Sequence, residues 1–256
     1  MNRIRVEVAA GIGRVILDRP EKRNALDRRC AEEVLEALAA FTADDAVRVI
    51  TLSATGPDFC AGADLAALES LIGAGDHELR RDAESLGFLF TAIRSLPKPV
   101  VALVQGRALA GGCGLATACD VVLAHADAQF GYPEVRIGFV PAMVMTMLVR
   151  TVGEKVAAEL VLTGRTIGAD EALRIGLVSR VLDAATFAGD AERVVGGLAK
   201  SPPSALAATK HLLYHLDALD FDAGMKEAVA TNIAARRTEA FEQGVRRFLA
   251  GGKGEK

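Results

Sequence analysis

Two short glycine-containing segments, FCAGADL at Phe59 to Leu65 and ALAGGCGLATACD at Ala108 to Asp120, are where this chain could grip a developing negative charge. Small residues let the backbone approach a ligand closely. An N–H at a helix start also lacks an intrahelical partner and lies at the positive end of the helix dipole. In the first segment Asp64 is suited to cap the helical pattern LAALESL. In the second, Gly111 and Gly112 stand where a run of small helix formers begins, just after the strand-like Val100 to Val104. Two such loops side by side would aim N–H donors at one carbonyl oxygen from both sides, which is an oxyanion hole. Each segment alone also has an ordinary use: Asp64 as the cap of a strand-to-helix turn, and the glycines as room for a helix to pack on a strand.

The remaining sequence supplies elements to hold these loops. Ile4 to Val8 and Arg14 to Leu17 flank Gly11 and Gly13, the pattern of a hairpin. A proline turn in LDRPEKRNAL leads into a helix over Arg29 to Phe41, where Val34, Leu35, Leu38 and Phe41 recur at helical spacing. Apolar runs at Val47 to Leu52, Val100 to Val104 and Val121 to Ala124 predict strands, the last leading toward FGYPEVRIG. Their recurrence predicts a ββα-like rhythm. From Val156 the pattern turns helical, with a helix over Ala169 to Arg174 that stops at Gly176 and a last strand over Val178 to Val181. Two prolines at Ser201 to Ser204 mark an internal boundary, after which helices run through Lys210 to Leu216 and Gly224 to Leu249. A core over residues 1–200 and a helical region over 201–256 are expected.

Composition excludes several classes of function. With 256 residues the chain can bury a large core, and its 51% hydrophobic and 25% charged residues are ordinary for a globular protein. It has no tryptophan and only 5% aromatic residues, so an aromatic stacking platform for nucleic acid is not expected, and a net charge of -3 offers no global attraction to polyanions. Cys30, Cys60, Cys113 and Cys119 show no CxxC spacing and read as reduced, buried thiols. The N-terminal residues lack a signal-type apolar core, and the longest uncharged apolar stretch, Ile137 to Val149, is short for a bilayer. A cytoplasmic protein, with neither membrane nor nucleic acid as partner, is expected.

Five segments in register, LDRPEKRNAL, FCAGADL, ALAGGCGLATACD, FGYPEVRIG and TGRTIGADEALRIGLV, resemble the crotonase (enoyl-CoA hydratase/isomerase) superfamily, and the likeness covers nearly the whole chain. The resemblance implies an α/β fold, a spiral of ββα units whose C-terminal helical region packs in homotrimers, often paired into homohexamers. It implies an acyl-CoA thioester as substrate, with coenzyme A part of that substrate and no metal or redox cofactor. The oxyanion hole falls on the backbone N–H groups of Ala63 and Gly111. Lys22, Arg23 and Ala25 would flank the nucleotide end of CoA, and Ala61, Asp64 and Leu65, with Gly112 nearby, the path of the pantetheine. Phe248 and Lys253 are weaker candidates for contact with CoA.

Hydratases of this superfamily use two glutamates, and the matching positions here are Glu134 and Gly114. Glu134 remains as the general acid/base, while Gly114 removes the partner carboxylate that would orient water. One glutamate suffices to move a proton between the α and γ carbons, which favours isomerisation of a 3-enoyl to a 2-enoyl thioester; hydration with water held by other groups stays open. The second acidic residue of dienoyl isomerases and hydrolytic dehalogenases falls on Ala142, which disfavours those reactions. A non-catalytic acyl-CoA-binding or assembly protein is the alternative that Gly114 motivates.

Other residues have plainer readings. Outside its motif Glu134 would be a solvated loop carboxylate. Asp120 reads as a strand-start or capping residue, and Arg136 as an anchor for its loop through a salt bridge. His211 and His215 have the i, i+4 spacing of a metal-binding helix face but no third ligand close in sequence. The arginine pairs at 28–29, 80–81, 236–237 and 246–247 read as solvated helix faces beside acidic residues. The acyl pocket wall is expected from Leu68 to Phe90 and from Ile137 to Met147.

Overall fold

The computed structural model describes residues 2–251, so Lys253 lies outside the described residues. The chain opens with the expected hairpin, β1 (Ile4–Ala9) and β2 (Ile12–Leu17). Ala9 pairs with Ile12, and Ala10 and Gly11 both take positive φ, the two-residue turn whose twist matches that of the strands. Helix α1 (Arg28–Ala43) follows, capped by the Asp27 carboxylate, which accepts from the N–H of Cys30 at 2.8 Å. Its buried stripe, including Val34, Leu38 and Phe41, is the one its spacing predicts.

The middle of the chain winds between two sheets. In order come β3 (Val49–Ala54), α2 (Leu65–Ser70), α3 (Asp76–Ser95), β4 (Val100–Val104), β5 (Arg107–Leu109), α4 (Gly111–Ala118), β6 (Val121–His125) and β7 (Gln129–Gly131). A 3-10 turn at Pro133–Ile137 leads to α5 (Ala142–Val152), α6 (Glu154–Thr163), β8 (Thr166–Gly168), α7 (Ala169–Arg174) and β9 (Arg180–Leu182). The large sheet has the order β1-β2-β3-β4-β6-β9, parallel except for the opening hairpin, and the small one has the order β5-β7-β8. Strands β4 and β6 each pass directly into a strand of the small sheet, so successive turns of chain stack as ββα units. The parallel strands β3, β4 and β6 are apolar on both faces because helices cover both sides. One face meets α1, α3 and α4; the other meets α8 (Phe187–Ala199) through Ala191 and Val195 on Ile12, Val49, Val101 and Leu123.

Three details differ from the sequence expectation. The last strand starts at Arg180, because the N–H groups of Leu177 and Val178 both turn back onto the carbonyl of Ala172 and close α7. Helix already begins at Ala142, ahead of Val156. The C-terminal helical run is divided into α9 (Pro203–His215), α10 (Phe221–Arg236) and α11 (Glu239–Gly251), with Thr238 Oγ1 accepting from the N–H of Phe241 at the last break.

Asp120 locks α9 to the core. Its carboxylate accepts from the N–H of Val100 at 2.7 Å, from Tyr214 OH at 2.7 Å and from Lys210 Nζ at 2.8 Å, and Lys210 also donates to the carbonyls of Ile93 and Lys98. Beyond that lock α10 and α11 bury almost nothing, and Phe221, Met225, Val229 and Ile233 stand exposed along one side of α10. All four cysteines are free and buried, and burial pushes the Cys60 and Cys113 thiols up to about 12. No helix among the described residues is long and apolar enough to cross a membrane.

Candidate active site

Three loops converge on one cleft of about 560 Å³. The first is the turn at Pro20–Lys22, in which Arg23 and Asn24 both adopt left-handed backbone. Asn24 holds that shape: its side chain accepts from the N–H of Arg19 at 2.8 Å and donates to the carbonyls of Thr55 and Asp58 at 2.9 and 2.8 Å. The second loop carries FCAGADL and is bound to the first through Ala61 N–H to the Arg23 carbonyl, Leu26 N–H to the Gly62 carbonyl and Asp64 N–H to the Leu26 carbonyl. The third is the junction of β5 and α4, joined to the second by Cys60 N–H to the Arg107 carbonyl and Leu109 N–H to the Cys60 carbonyl.

Both N–H groups singled out in the sequence are available. Among the described residues, neither Ala63 nor Gly111 donates its backbone N–H to a protein acceptor, although the N–H groups of Asp64 and Ala110 on either side of them are used. Gly111 opens α4, so its N–H carries the positive end of that helix. The two loops touch here: a Cβ built on Gly62, whose φ is +98°, would lie 2.7 Å from Ala110 Cβ and 3.5 Å from Gly111 N. Only glycine fits that approach. Ala110 itself has φ 49° and ψ −127°, a conformation costing about 1–3 kcal/mol for a residue with a side chain, and this strain sits next to the unpaired N–H of Gly111.

Arg19 braces the first two loops together. Its guanidinium reaches Asp27 at 3.0 Å and Asp64 at 2.9 Å, and all three side chains are largely buried. Burial opposes ionisation of Asp64, yet Arg19 and the N–H of Ala66 hold its carboxyl below the ordinary value. Thus Asp64 caps α2 as its spacing predicts and is also an internal counter-ion. Arg19→Met is expected to lower stability by about 3 kcal/mol in urea unfolding, because the largely buried Asp64 carboxylate loses its ion-pair partner, whereas Asp27 keeps Arg3 at 2.8 Å. It should also weaken any ligand that depends on the Ala63 loop, measured by calorimetric titration with an acyl-CoA.

Glu134 comes from the 3-10 turn after β7, with Pro133 at its first position. It lines the same cleft as Ala63 and Gly111, is only 7% exposed, and has an Oε2 with no hydrogen-bond partner among the described residues. Burial raises its pKa above the ordinary carboxylate value. A carboxyl so placed, with one oxygen free of partners, can pass a proton to or from a ligand held in the cleft.

The family model for enoyl-CoA hydratase/isomerase matches residues 7–254. The chain belongs to this family. It is 42% identical over 95% of its length to a Thermus thermophilus protein, covering 97% of that protein, which is described provisionally as an enoyl-CoA hydratase. It is also 33% identical to the crotonyl-CoA hydratase of Syntrophomonas wolfei, over 91% of this chain and 89% of that one. The crystal structure of enoyl-CoA hydratase from Mycobacterium smegmatis superposes with a TM-score of 0.92, at 30% identity, covering 97% and 96% of the two chains. The crotonase spiral read from the five segments is the observed fold.

Against this family frame the sequence-derived residues sort by position. Lys22, Arg23, Ala25, Ala61, Ala63, Asp64, Leu65, Gly111 and Glu134 all line the one cleft. Lys22 and Arg23 are exposed at its edge, and neither forms an ion pair among the described residues. Gly112 does not line it: a Cβ there would fall 2.4 Å from the Cys60 carbonyl, so this glycine serves the packing of α4 against the FCAGADL loop. Gly114 is also fully enclosed, and a Cβ there would meet Val144 Cγ2 at 2.5 Å and Phe90 Cζ at 3.0 Å. The space beside Gly114 is filled by apolar side chains. Arg136 lines the cleft but forms no salt bridge among the described residues, contrary to its expected anchoring role. Sequence reading missed Arg19 and Asn24, since each acts through residues distant in sequence. A polar side chain inside an otherwise turn-like LDRPEKRNAL was the available signal.

Proposed function

We propose that this family member binds an enoyl-CoA thioester, holds its carbonyl oxygen on the N–H groups of Ala63 and Gly111, and uses Glu134 to move a proton between carbons of the acyl chain. Drawing charge onto that oxygen stabilises an enolate, and each such donor contributes about 3–4 kcal/mol to the transition state. Lys22 and Arg23 would face the CoA phosphates, and the apolar wall from Leu68, Leu86, Ile137 and Phe139 to Val144 would enclose the acyl chain. The reaction we assign is conversion of a 3-enoyl to a 2-enoyl thioester: Glu134 takes a proton from the α carbon and returns it to the γ carbon as the double bond shifts. The observation that carries this reading is the apolar packing of Val144 and Phe90 on Gly114, which leaves Glu134 as the carboxylate of the cleft that is not held in an ion pair, Asp64 being bound to Arg19.

The names of the relatives favour a second reading, hydration of a 2-enoyl thioester. One experiment separates the two. The protein is incubated in heavy-oxygen water with trans-2-hexenoyl-CoA and, separately, with trans-3-hexenoyl-CoA, and products are followed by mass. Conversion of the 3-enoyl substrate without oxygen gain supports isomerisation, whereas label in a 3-hydroxyacyl product assigns hydration. Acyl-CoA binding without either reaction or α-carbon hydrogen exchange would make the protein a binding or assembly component. We also assign the exposed apolar sides of α10 and α11 to self-association as a trimer or hexamer, which light scattering on the purified protein measures.

A further inference from the structure

A second cavity, of about 720 Å³, lies between α3, α5 and α9, and its chemistry differs from that of the acyl cleft. The two spaces share Met143, and adjacent α3 residues separate them, with Leu86 facing the acyl cleft and Gly87 facing the second cavity. Gly87 presents no side chain, and Met143 Cγ lies 3.9 Å from where its Cβ would be. Met143 therefore stands in the wall between the two spaces, beside Leu86, Val144 and Phe90, and its flexible thioether is the part of that wall that a change of rotamer moves.

Beyond Met143 the walls carry Arg94, Arg150, His211 and His215 against the single carboxylate of Asp217. Arg94 reaches Asp217 at 3.1 Å and lies 4.0 Å above the ring of Tyr214, while Arg150 approaches Asp217 only at 3.8 Å. The two imidazoles stack with centroids 5.6 Å apart. Asp120, in the adjoining space, is already neutralised by Lys210 and bonded by Tyr214. Arg94 and the half-exposed Arg150, which also donates to the Thr146 carbonyl, thus face one aspartate, an excess of positive charge on the walls beyond Met143.

We propose that this cavity receives the distal end of the acyl chain and that Arg94 and Arg150 favour chains ending in a carboxylate. The proposal rests on the acyl-CoA reading above. Guanidinium groups match a carboxylate in shape and charge, whereas a terminal methyl placed there would lie among polar groups with nothing to gain from them.

The test compares, on the full chain, calorimetric binding of CoA monothioesters of saturated six-, eight- and ten-carbon diacids with hexanoyl-, octanoyl- and decanoyl-CoA. The expected result is binding of the diacid thioester about tenfold tighter than its methyl-ended counterpart at one or more lengths. Arg150→Met and Arg94→Met should each bring that ratio toward one, and so should Met143→Phe, which puts a rigid ring in that wall. Methyl-ended ligands binding as tightly at every length, or a ratio untouched in all three variants, overturns the proposal. Failure of both series to bind, with free CoA as control, overturns the acyl-CoA reading on which it rests.

Discussion

Glu134→Gln is expected to lower turnover by about 10²–10⁴-fold while leaving acyl-CoA affinity nearly intact, since glutamine keeps the shape of the side chain and removes only its capacity to exchange a proton. Steady-state kinetics with 3-hexenoyl-CoA and calorimetric titration with saturated hexanoyl-CoA measure the two effects separately, and retained turnover would remove Glu134 from the reaction. The same substitution should stabilise the fold. Burial raises the Glu134 carboxyl above its ordinary value of 4.5, so the folded protein keeps that proton where the unfolded chain has released it. Stability from this group is therefore greatest at low pH and falls as pH rises from the ordinary carboxylate range through the raised value. Above it, a charged oxygen without a hydrogen-bond partner is enclosed at a continuing cost. The variant should thus melt above the parent protein at pH 8, with the gain shrinking as the pH falls into the ordinary carboxylate range. A gain that is independent of pH would contradict burial of the charge as its cause.

The positions that sequence reading placed well are those governed by local rules. Asp64 caps α2 and Gly111 opens α4, because a cap and a helix start are decided by neighbours within a few residues. The cleft as a whole was legible only through the order of five segments. What stayed hidden depends on partners far along the chain. Asn24 looks like an ordinary turn residue, yet its amide is fixed by carbonyls at 55 and 58. Arg19 looks like a surface charge, yet it is enclosed between Asp27 and Asp64. Gly112 was placed with its neighbour Gly111, but one residue of helix rotates it by about 100° onto Cys60 and away from the cleft.

Gly114→Glu, which would add a carboxylate where the family resemblance implies one, is expected to damage the protein rather than convert it. The new Cβ would enter the space of Val144 Cγ2 and Phe90 Cζ, and such overpacking costs about 1–3 kcal/mol. The carboxylate above it would be enclosed among apolar side chains, which adds to the cost. Loss of urea stability should therefore accompany loss of activity. Val144→Ala removes the closer obstacle, so the double variant Gly114→Glu, Val144→Ala should regain much of the lost stability. It alone should then incorporate heavy oxygen from water into a 3-hydroxyacyl product when given 2-hexenoyl-CoA. A double variant that folds and binds acyl-CoA but adds no water would mean that a second carboxylate is insufficient to orient the nucleophile here. Label incorporated by the parent protein itself would mean that Glu134 and the backbone already do so, and the apolar plug at Gly114 would then be a feature of a working hydratase.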